Sequence, residues 1–535
     1  MRLKRLKVQN HRRLTDLEIR VRKHLVVVGA NDVGKSSLLR CIDLILGSST
    51  AQLYAKITLD DFRDSDQPFL VEVDLVDFTL EDKALFPDEI EVDVTNGKSR
   101  LTLRLVVTVD DKETIVVERT APAANNSRQL SRDQVIGLGW KFLSATAQTR
   151  DLRDDRRSAL DEILRGVELG AEKANFDALA DELARKLGDS QTLKDLRRSL
   201  ADQLSKALPE KVAEADLSFV PGASADDDVL SDVRLQVTKH GIAHNLSEQS
   251  DGTRALYAIA LYDLMSIGAN VVGIDEPEVH LHPTSQRSLA RLLRLSPNQK
   301  IIATHSSDIV GAFDPDSIVV VRSGGQVVQP AKGFLSADER MSVRWWVRDR
   351  LEPLTASRVV AVEGLSDRII LERIAELTDR NLDRLGVSVL ETGGSGDMGP
   401  IEKLFGRSGF NIPLTRLIDE DAEQSVATQL GIAKTDLPAR SVWVSRIDLE
   451  DEYVKALGAV TIWNHLQTSG QFSANELANL HPSGSVGAPT DAEVAAFCRH
   501  KKRKINAALA VLPLLDATNA SAVISIQNLL DQIAP

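Results

Sequence analysis

The chain is poor in cysteine, with Cys41 and Cys498 alone in 535 residues, which excludes a disulfide framework and a thiolate cluster of zinc-ligand spacing. No apolar run approaches the roughly 18 residues that span a bilayer. The opening MRLKRLKVQN lacks the apolar stretch of a signal peptide, so the expected location is cytoplasmic, with no membrane contact. Positive charge is not in excess either: 65 Lys and Arg stand against 78 Asp and Glu, a net charge of −13. That argues weakly against a polyanion partner, because phosphate contacts need local rather than total positive charge. Local clusters exist at Met1 to Arg13 (MRLKRLKVQNHRR) and Arg499 to Lys504 (RHKKRK), and the plain reading of each is a solvated surface. Helix-turn-helix and zinc-finger patterns are absent, so base-specific readout is not expected.

What is present is ordinary for a folded protein: 43% apolar and 27% charged residues, in a length that suits two or three domains. LVVVGA at Leu25 to Ala30 reads as a strand ending in glycine, and SSLLRCIDLIL at Ser36 to Leu46 has helical apolar spacing. Alternating segments over 69–78, 89–94, 101–109 and 113–119 predict antiparallel strands. From about 150 the texture becomes charged amphipathic helix, most simply an inserted arm or dimer contact, with a two-helix lid fitting nearly as well. Strand and helix alternate again from about 232, and the polar stretch 327–340, with Pro330 and Gly333, reads as a linker. A second set of strands, each followed by acids, comes after it. The expected fold class is α/β.

Between the first strand and helix, Gly29-Ala-Asn31-Asp-Val-Gly34-Lys35-Ser36-Ser37 fits the phosphate-binding loop GxxxxGK[ST]. Its amide N–H groups and helix N-terminus cradle phosphates, Lys35 reaches the β and γ oxygens, and Ser36 ligates Mg²⁺. Asn31, Gly34 and Ser37 belong to the same cofactor-binding loop. VVGIDEPE brings Asp275 to a strand end, where it holds Mg²⁺, and Glu276 to where it orients or deprotonates water. His305 in IIATHSS ends another strand and is expected to face the γ-phosphate. LSEQSDGTRAL looks like a variant of the signature loop of ABC-type ATPases, with Ser250 and Gly252 presented to ATP on a facing protomer.

The second half carries RVVAVEGLSDRIIL, VLETGGSGD and TRLIDED. These predict three strands whose ends bring Glu363, Asp367, Asp419 and Asp421 to one end of a parallel sheet. Carboxylates so gathered repel one another unless cations neutralise them, and two hard divalent ions suit such oxygen ligands. Paired ions of this kind stabilise the attacking and leaving oxygens of phosphodiester cleavage.

The EGxxD, Gly-rich turn and DxD pattern resembles the Toprim fold, and with an ABC-type ATPase before it the whole chain resembles the OLD (overcoming lysogenization defect) nucleases, which include the nuclease component of Gabija systems. The resemblance implies an ATPase domain over 1–335, with a helical dimerisation insertion at 149–215. A Toprim nuclease domain with a C-terminal helical region then covers 336–535. It implies metal binding by Glu363, Asp367, Asp419, Asp421 and Glu450 with neighbouring Asp451, alongside Ser36 and Asp275 at the nucleotide. It also implies a lysine at the scissile phosphate, for which Lys501, Lys502 and Lys504 are available; Lys504 is preferred because it opens an apolar helix. Asp448 is either a ligand or a cap. The implied cofactors are ATP and Mg²⁺ or Mn²⁺. The implied partners are DNA, a second copy of the chain or a larger homo-oligomer, and, for a Gabija-type system, a UvrD-like helicase. The expected function is an ATP-regulated, metal-dependent DNA endonuclease in antiphage defence. The alternative is a DNA-clamping ATPase akin to structural-maintenance or recombination-mediator proteins, its Toprim sheet a non-catalytic platform. Strand passage of the topoisomerase kind would need a nucleophilic tyrosine, and Tyr453 is the one well placed in sequence. The opening QNHRRL has His11 where the family usually has Phe, leaving Arg12 or Arg13 as nucleotide-side contacts.

Overall fold

A computed structural model describes the chain apart from residues 93–96, 111–113, 125–128, 144–181, 184, 209, 221–233, 240, 246–249, 251, 254–255, 258, 261–268, 340–350, 394–397, 481–486 and 535. Contacts divide it into two compact units, Met1–Gln329 with Arg340–Leu351, and Pro330–Glu339 with Glu352–Pro535. Of the stretch expected to link two domains, 330–339 therefore packs with the second unit, where the Ala331 N–H donates to Ser408 O at 2.8 Å and Phe334 meets Phe410 edge to face.

In the first unit, β1 (Arg2–Gln9), β2 (Leu17–Arg20), β4 (Phe69–Val76), β5 (Ile90–Val92), β6 (Ser99–Val109) and β7 (Ile115–Thr120) form an antiparallel sheet in the order β2-β1-β4-β6-β5, with β7 also on β6. β4 to β7 are the segments whose alternation predicts strands, whereas β1 and β2 come from the stretch that reads in the sequence only as a basic run and its surroundings. A mainly parallel sheet runs β15-β14-β3-β13-β12-β8, from β3 (Leu25–Val28), β8 (Trp140–Leu143), β12 (Val271–Asp275), β13 (Gln299–Thr304), β14 (Ile318–Val321) and β15 (Val327–Val328). Its central strands are buried at every position, as strands covered on both faces must be. The helix Lys35–Leu46 buries Leu38, Leu39, Cys41, Ile42 and Ile45 and touches β4, β12 and β13, so the two sheets share one core. A small sheet of β9 (Leu217–Val220), β10 (Arg234–Lys239) and β11 (Ile242–Asn245) completes the unit among the described residues. Most of the expected helical insertion lies outside the described residues. Its C-terminal part includes the helix Gln191–Ala207, which packs on the helix Pro283–Leu295.

Four of the basic residues in the N-terminal run are ion-paired. Arg5 is paired with Glu72 at 2.5 Å and Asp74 at 2.7 Å, Arg2 with Asp77 at 2.8 Å, Arg13 with Asp32 at 2.9 Å, and Arg12 with Asp60. His11 is buried, and burial holds its imidazole down at about 4.

Among its described residues the second unit holds four parallel strands in the order β17-β16-β18-β19: β16 (Arg358–Val362), β17 (Val387–Glu391), β18 (Leu414–Asp419) and β19 (Val442–Ser445). The helices Leu365–Leu377, Leu449–Leu457, Asp491–Cys498, Lys504–Val511 and Ile524–Ile533 share a core with this sheet through Ile370, Ile374, Val454 and Leu529. Ala507 and Ala508 bring the helix Lys504–Val511 against Leu365–Leu377. Tyr453 is 1% exposed within that core, and burial drives its phenol well above the usual range. A phenol so enclosed cannot reach a DNA backbone, so the strand-passage reading loses its nucleophile.

Candidate functional site

The nucleotide loop is built as its sequence requires. Gly34 has φ 113°, and a Cβ there would stand 2.9 Å from Leu14 Cδ2, so glycine is needed twice over. Lys35 is 4% exposed, and its Nζ donates to Gly29 O at 3.1 Å and Ala30 O at 2.8 Å, folded over its own loop. Asn31 and Ser36 are exposed, and Ser37 is half-buried. Burial raises the Asp275 carboxyl above its usual range, against a hydrogen bond from Ser36 that lowers it; this is the Ser–Asp pair that ligates Mg²⁺ in such loops. Glu276 follows in a left-handed backbone conformation, φ 47°, pinned by its N–H donating to Ala303 O at 2.8 Å. Strain of this kind gathers at functional sites.

The His305 N–H donates to Glu278 Oε1 at 2.6 Å, and its ring Nδ1 lies 3.4 Å from the same oxygen and 3.7 Å from Glu276 Oε1. Glu278, which motif reading passes over, is 5% exposed and orients His305. Ser250 Oγ pairs with Thr253 Oγ1 at 3.0 Å, and a Cβ on Gly252 would stand 2.5 Å from His280 O. Gly252 is thus fixed by close backbone approach within its own chain.

In the second unit the carboxylates converge. Glu363 leaves the end of β16, and its Oε1 accepts the Asp419 N–H from the end of β18 at 3.3 Å. Asp367, 4% exposed, caps the first turn of the next helix, its Oδ2 accepting the Gly364 N–H at 3.0 Å and its Oδ1 the Ser366 hydroxyl at 3.2 Å. Asp419 Oδ1 accepts the Leu449 N–H at 3.3 Å, which ties β18 to the turn carrying Glu450. Lys504 Nζ stands among them, 3.3 Å from Asp367 Oδ1, 3.6 Å from Glu450 Oε1 and 3.9 Å from Asp419 Oδ2. Of the three lysines left open by the sequence, Lys504 is the one at the cluster. Lys501 and Lys502 are exposed at the turn before it.

One ammonium does not balance these acids. Burial, with neighbouring carboxylates adding, pushes Asp419 up to about 8 and Glu450 up to about 7, although Lys504 pulls both down. Glu363 is raised by burial as well, with Asp367 and Asp421 adding to it. Lys504 itself is raised by the acids it faces, against its own burial. Glu450 is 1% exposed, and among the described residues its Oε2 has no hydrogen-bond partner. Such a buried, unpartnered anionic oxygen is costly unless a cation joins it.

The donor set is all oxygen, which suits Mg²⁺ or Mn²⁺ and not zinc. Among the described residues no three acids, histidines or cysteines stand in metal-holding geometry, and Lys504 lies within 4 Å of three of the acids. The fit is therefore one of chemistry and placement. Asp421 is exposed beside Glu363. Asp451 turns elsewhere and pairs with Lys455 at 2.5 Å. Asp448 caps the helix by accepting the Asp451 N–H at 2.8 Å and is held by Arg499 at 2.6 Å, so the cap reading is the one the contacts favour.

A nucleotide loop on a parallel sheet, followed by a separate sheet ending in clustered acids, defines a two-part protein: an ATPase head and a Toprim domain. Residues 25–311, more than half of the chain, match the family model "AAA domain, putative AbiEii toxin, Type IV TA system", and residues 354–421 match "Overcoming lysogenization defect protein-like, TOPRIM domain". The chain thus belongs to that AAA family and, through the Toprim domain behind it, to the OLD family of ATPase–Toprim proteins. It is 24% identical over 448 residues to the OLD nuclease of Thermus scotoductus (strain ATCC 700910 / SA-01), covering 78% of this chain and 82% of that one. Against Endonuclease GajA of Bacillus cereus (strain VD045) it is 22% identical over 229 residues, 41% of this chain and 39% of that one. The solved C-terminal region of the Burkholderia pseudomallei OLD protein matches at a TM-score of 0.27 and 22% identity, over 34% of this chain and 99% of that one.

Proposed function

We propose that this protein is a divalent-metal-dependent DNA endonuclease whose Toprim carboxylates carry the chemistry and whose ATPase head regulates it. The observation that carries this reading is the under-neutralised cluster of Glu363, Asp367, Asp419 and Glu450 around Lys504. Glu363, Asp367, Asp419, Asp421 and Glu450 would hold two ions, Mg²⁺ or Mn²⁺. Bound there, the ions would activate a water and stabilise the leaving oxygen. The chain's own part is to fix the acids on strand ends and to present Lys504 to a non-bridging phosphate oxygen. Burial of the cluster strengthens each of these interactions. The nuclease names of the relatives support the same reading.

In the head, Lys35 and Ser36 with Asp275 would hold Mg-ATP, Glu276 would orient water, and Ser250 and Gly252 would meet the γ-phosphate bound by a second copy. Nucleotide binding would then set the geometry of a homodimer. Antiphage defence is the setting that OLD-family membership supports.

The test is nicking of supercoiled plasmid with Mg²⁺ or Mn²⁺, comparing the unaltered protein with Asp419→Ala/Asp421→Ala. The proposal expects metal-dependent nicking that the double change lowers by roughly 10³-fold. Nicking unaffected by that change would place the chemistry elsewhere, and ATP turnover without any nicking would favour a DNA clamp.

A further inference from the structure

The run Asp419-Glu420-Asp421 sends its middle carboxylate away from the cluster. Glu420 Oε2 accepts the Ile447 N–H at 2.8 Å, and its Oε1 faces Arg446 Nη1 at 3.4 Å. The preceding amide is held as well: Glu452 Oε1 accepts the Arg446 N–H at 3.0 Å, while its Oε2 accepts the Ser525 N–H at 3.0 Å and the Ser525 hydroxyl at 2.7 Å. Two successive amides between β19 and the helix Leu449–Leu457 are therefore each tied to a carboxylate from a different element.

That turn contains a conformation its sequence disfavours. Ile447 has φ 65° and is 50% exposed. A β-branched side chain in the left-handed region crowds its own backbone, and half-exposed packing offers little in return. Such a residue persists where its surroundings over-determine it. The next three residues all serve the site: Asp448 caps the helix, the Leu449 N–H donates to Asp419 Oδ1 at 3.3 Å, and Glu450 faces Lys504 at 3.6 Å.

We propose that Glu420 is a positioning residue for the Toprim site: by holding Ile447 in its left-handed conformation it fixes the turn, and through the turn the Leu449 amide on Asp419 and the Glu450 carboxylate beside Lys504. Glu420 acts through the backbone and touches none of the reacting groups. Its effect on cleavage rests on the nuclease reading, but its effect on the turn does not. Glutamine at this position keeps an acceptor for the Ile447 amide and loses the Arg446 pair, whereas alanine loses both. Glycine in place of Ile447 adopts the same φ without strain.

The test is hydrogen exchange resolved to single amides on the metal-free full chain, for the unaltered protein, Glu420→Gln, Glu420→Ala and Glu420→Ala/Ile447→Gly. Glu420→Ala is expected to speed exchange at Ile447 and also at Leu449 by about tenfold or more, with the rest of the Toprim sheet unchanged. Glu420→Gln is expected to retain most of the Leu449 protection, and the added Ile447→Gly to restore part of it. The Mn²⁺ concentration for half-maximal nicking should rise in the same order, by about 10- to 100-fold at most, with KM for DNA unchanged. Leu449 exchange that stays slow in Glu420→Ala, or protection lost evenly across the domain, would overturn the proposal. A protein that never cleaves DNA would sink the nuclease reading and leave the exchange pattern to decide the role of Glu420.

Discussion

Two lysines, Lys35 buried and Lys504 half-buried, distinguish the two sites. Lys35 rests on the carbonyl oxygens of Gly29 and Ala30, neutral acceptors that leave its charge available to an incoming phosphate. Lys504 stands among Asp367, Asp419 and Glu450, where its charge is already engaged and acid remains in excess. The first site is prepared for an anion and the second for further cations. A lysine in a conserved-looking motif therefore says little by itself; its partners decide whether it recruits a ligand or restrains a cluster.

The largest effects are expected at the two lysines themselves. Lys504→Met should lower nicking by roughly 10²- to 10³-fold while tightening Mn²⁺ binding, because a cation that competes with the metal has been removed. Weaker Mn²⁺ binding in that variant, read by calorimetry, would mean that Lys504 organises the acids rather than opposing the metal. Lys35→Ala should abolish ATP binding and leave ATP-free nicking within a few-fold, as followed by nucleotide-binding and plasmid assays.

A smaller effect follows from proton binding. Asp419 is raised from an ordinary 3.8 to about 8 and Glu450 from 4.5 to about 7, chiefly by burial. The metal-free folded state therefore holds protons that the unfolded chain releases, and stability from these groups is lost as pH rises from about 4 to about 8. Thermal unfolding in chelator should show a higher midpoint at low pH within that window than at its upper end. Mg²⁺ should reduce the difference, and Asp419→Asn should flatten it. A pH profile that Asp419→Asn leaves unchanged would assign the effect to other groups.

The smallest expected effect lies at the exposed turn. Arg499 is engaged by Asp448, and Arg503 lies 4.1 Å over the Phe497 ring, which leaves Lys501 and Lys502 facing solvent. Lys501→Ala/Lys502→Ala should weaken DNA binding evenly across sequences and reduce the slope of log affinity against log salt by roughly 1 to 2. An unchanged slope would return this run to plain solvated surface.

Much of the fold is legible in the sequence because its strands are short β-branched runs that end in glycine or acid, as in LVVVGA, VVGIDE, VVAVEG and RLIDED. These bring into view at once the nucleotide loop and, of the four acids clustered around Lys504, the two residues Glu363 and Asp419. What is less legible depends on packing. Lys504 is distinguished from Lys501 and Lys502 by the helix it opens, whose alanines sit against Leu365–Leu377. Asp451, grouped with Glu450 by adjacency, lies on another side of its helix and answers Lys455. The pattern Asp448-Leu-Glu-Asp451 before an apolar run is a helix-start signal that points to Asp448 as the cap. Glu278 and Glu420 carry no such local mark, since their partners, His305 and Ile447, are brought to them by the folded chain.

Calorimetry of Mn²⁺ binding to the metal-free, nucleotide-free protein is the most direct test that the second acidic cluster is the metal centre. Binding is expected to be abolished by Asp419→Ala/Asp421→Ala and to be intact in Lys35→Ala; binding that survives the aspartate changes, or disappears with Lys35→Ala, would place the metal centre elsewhere.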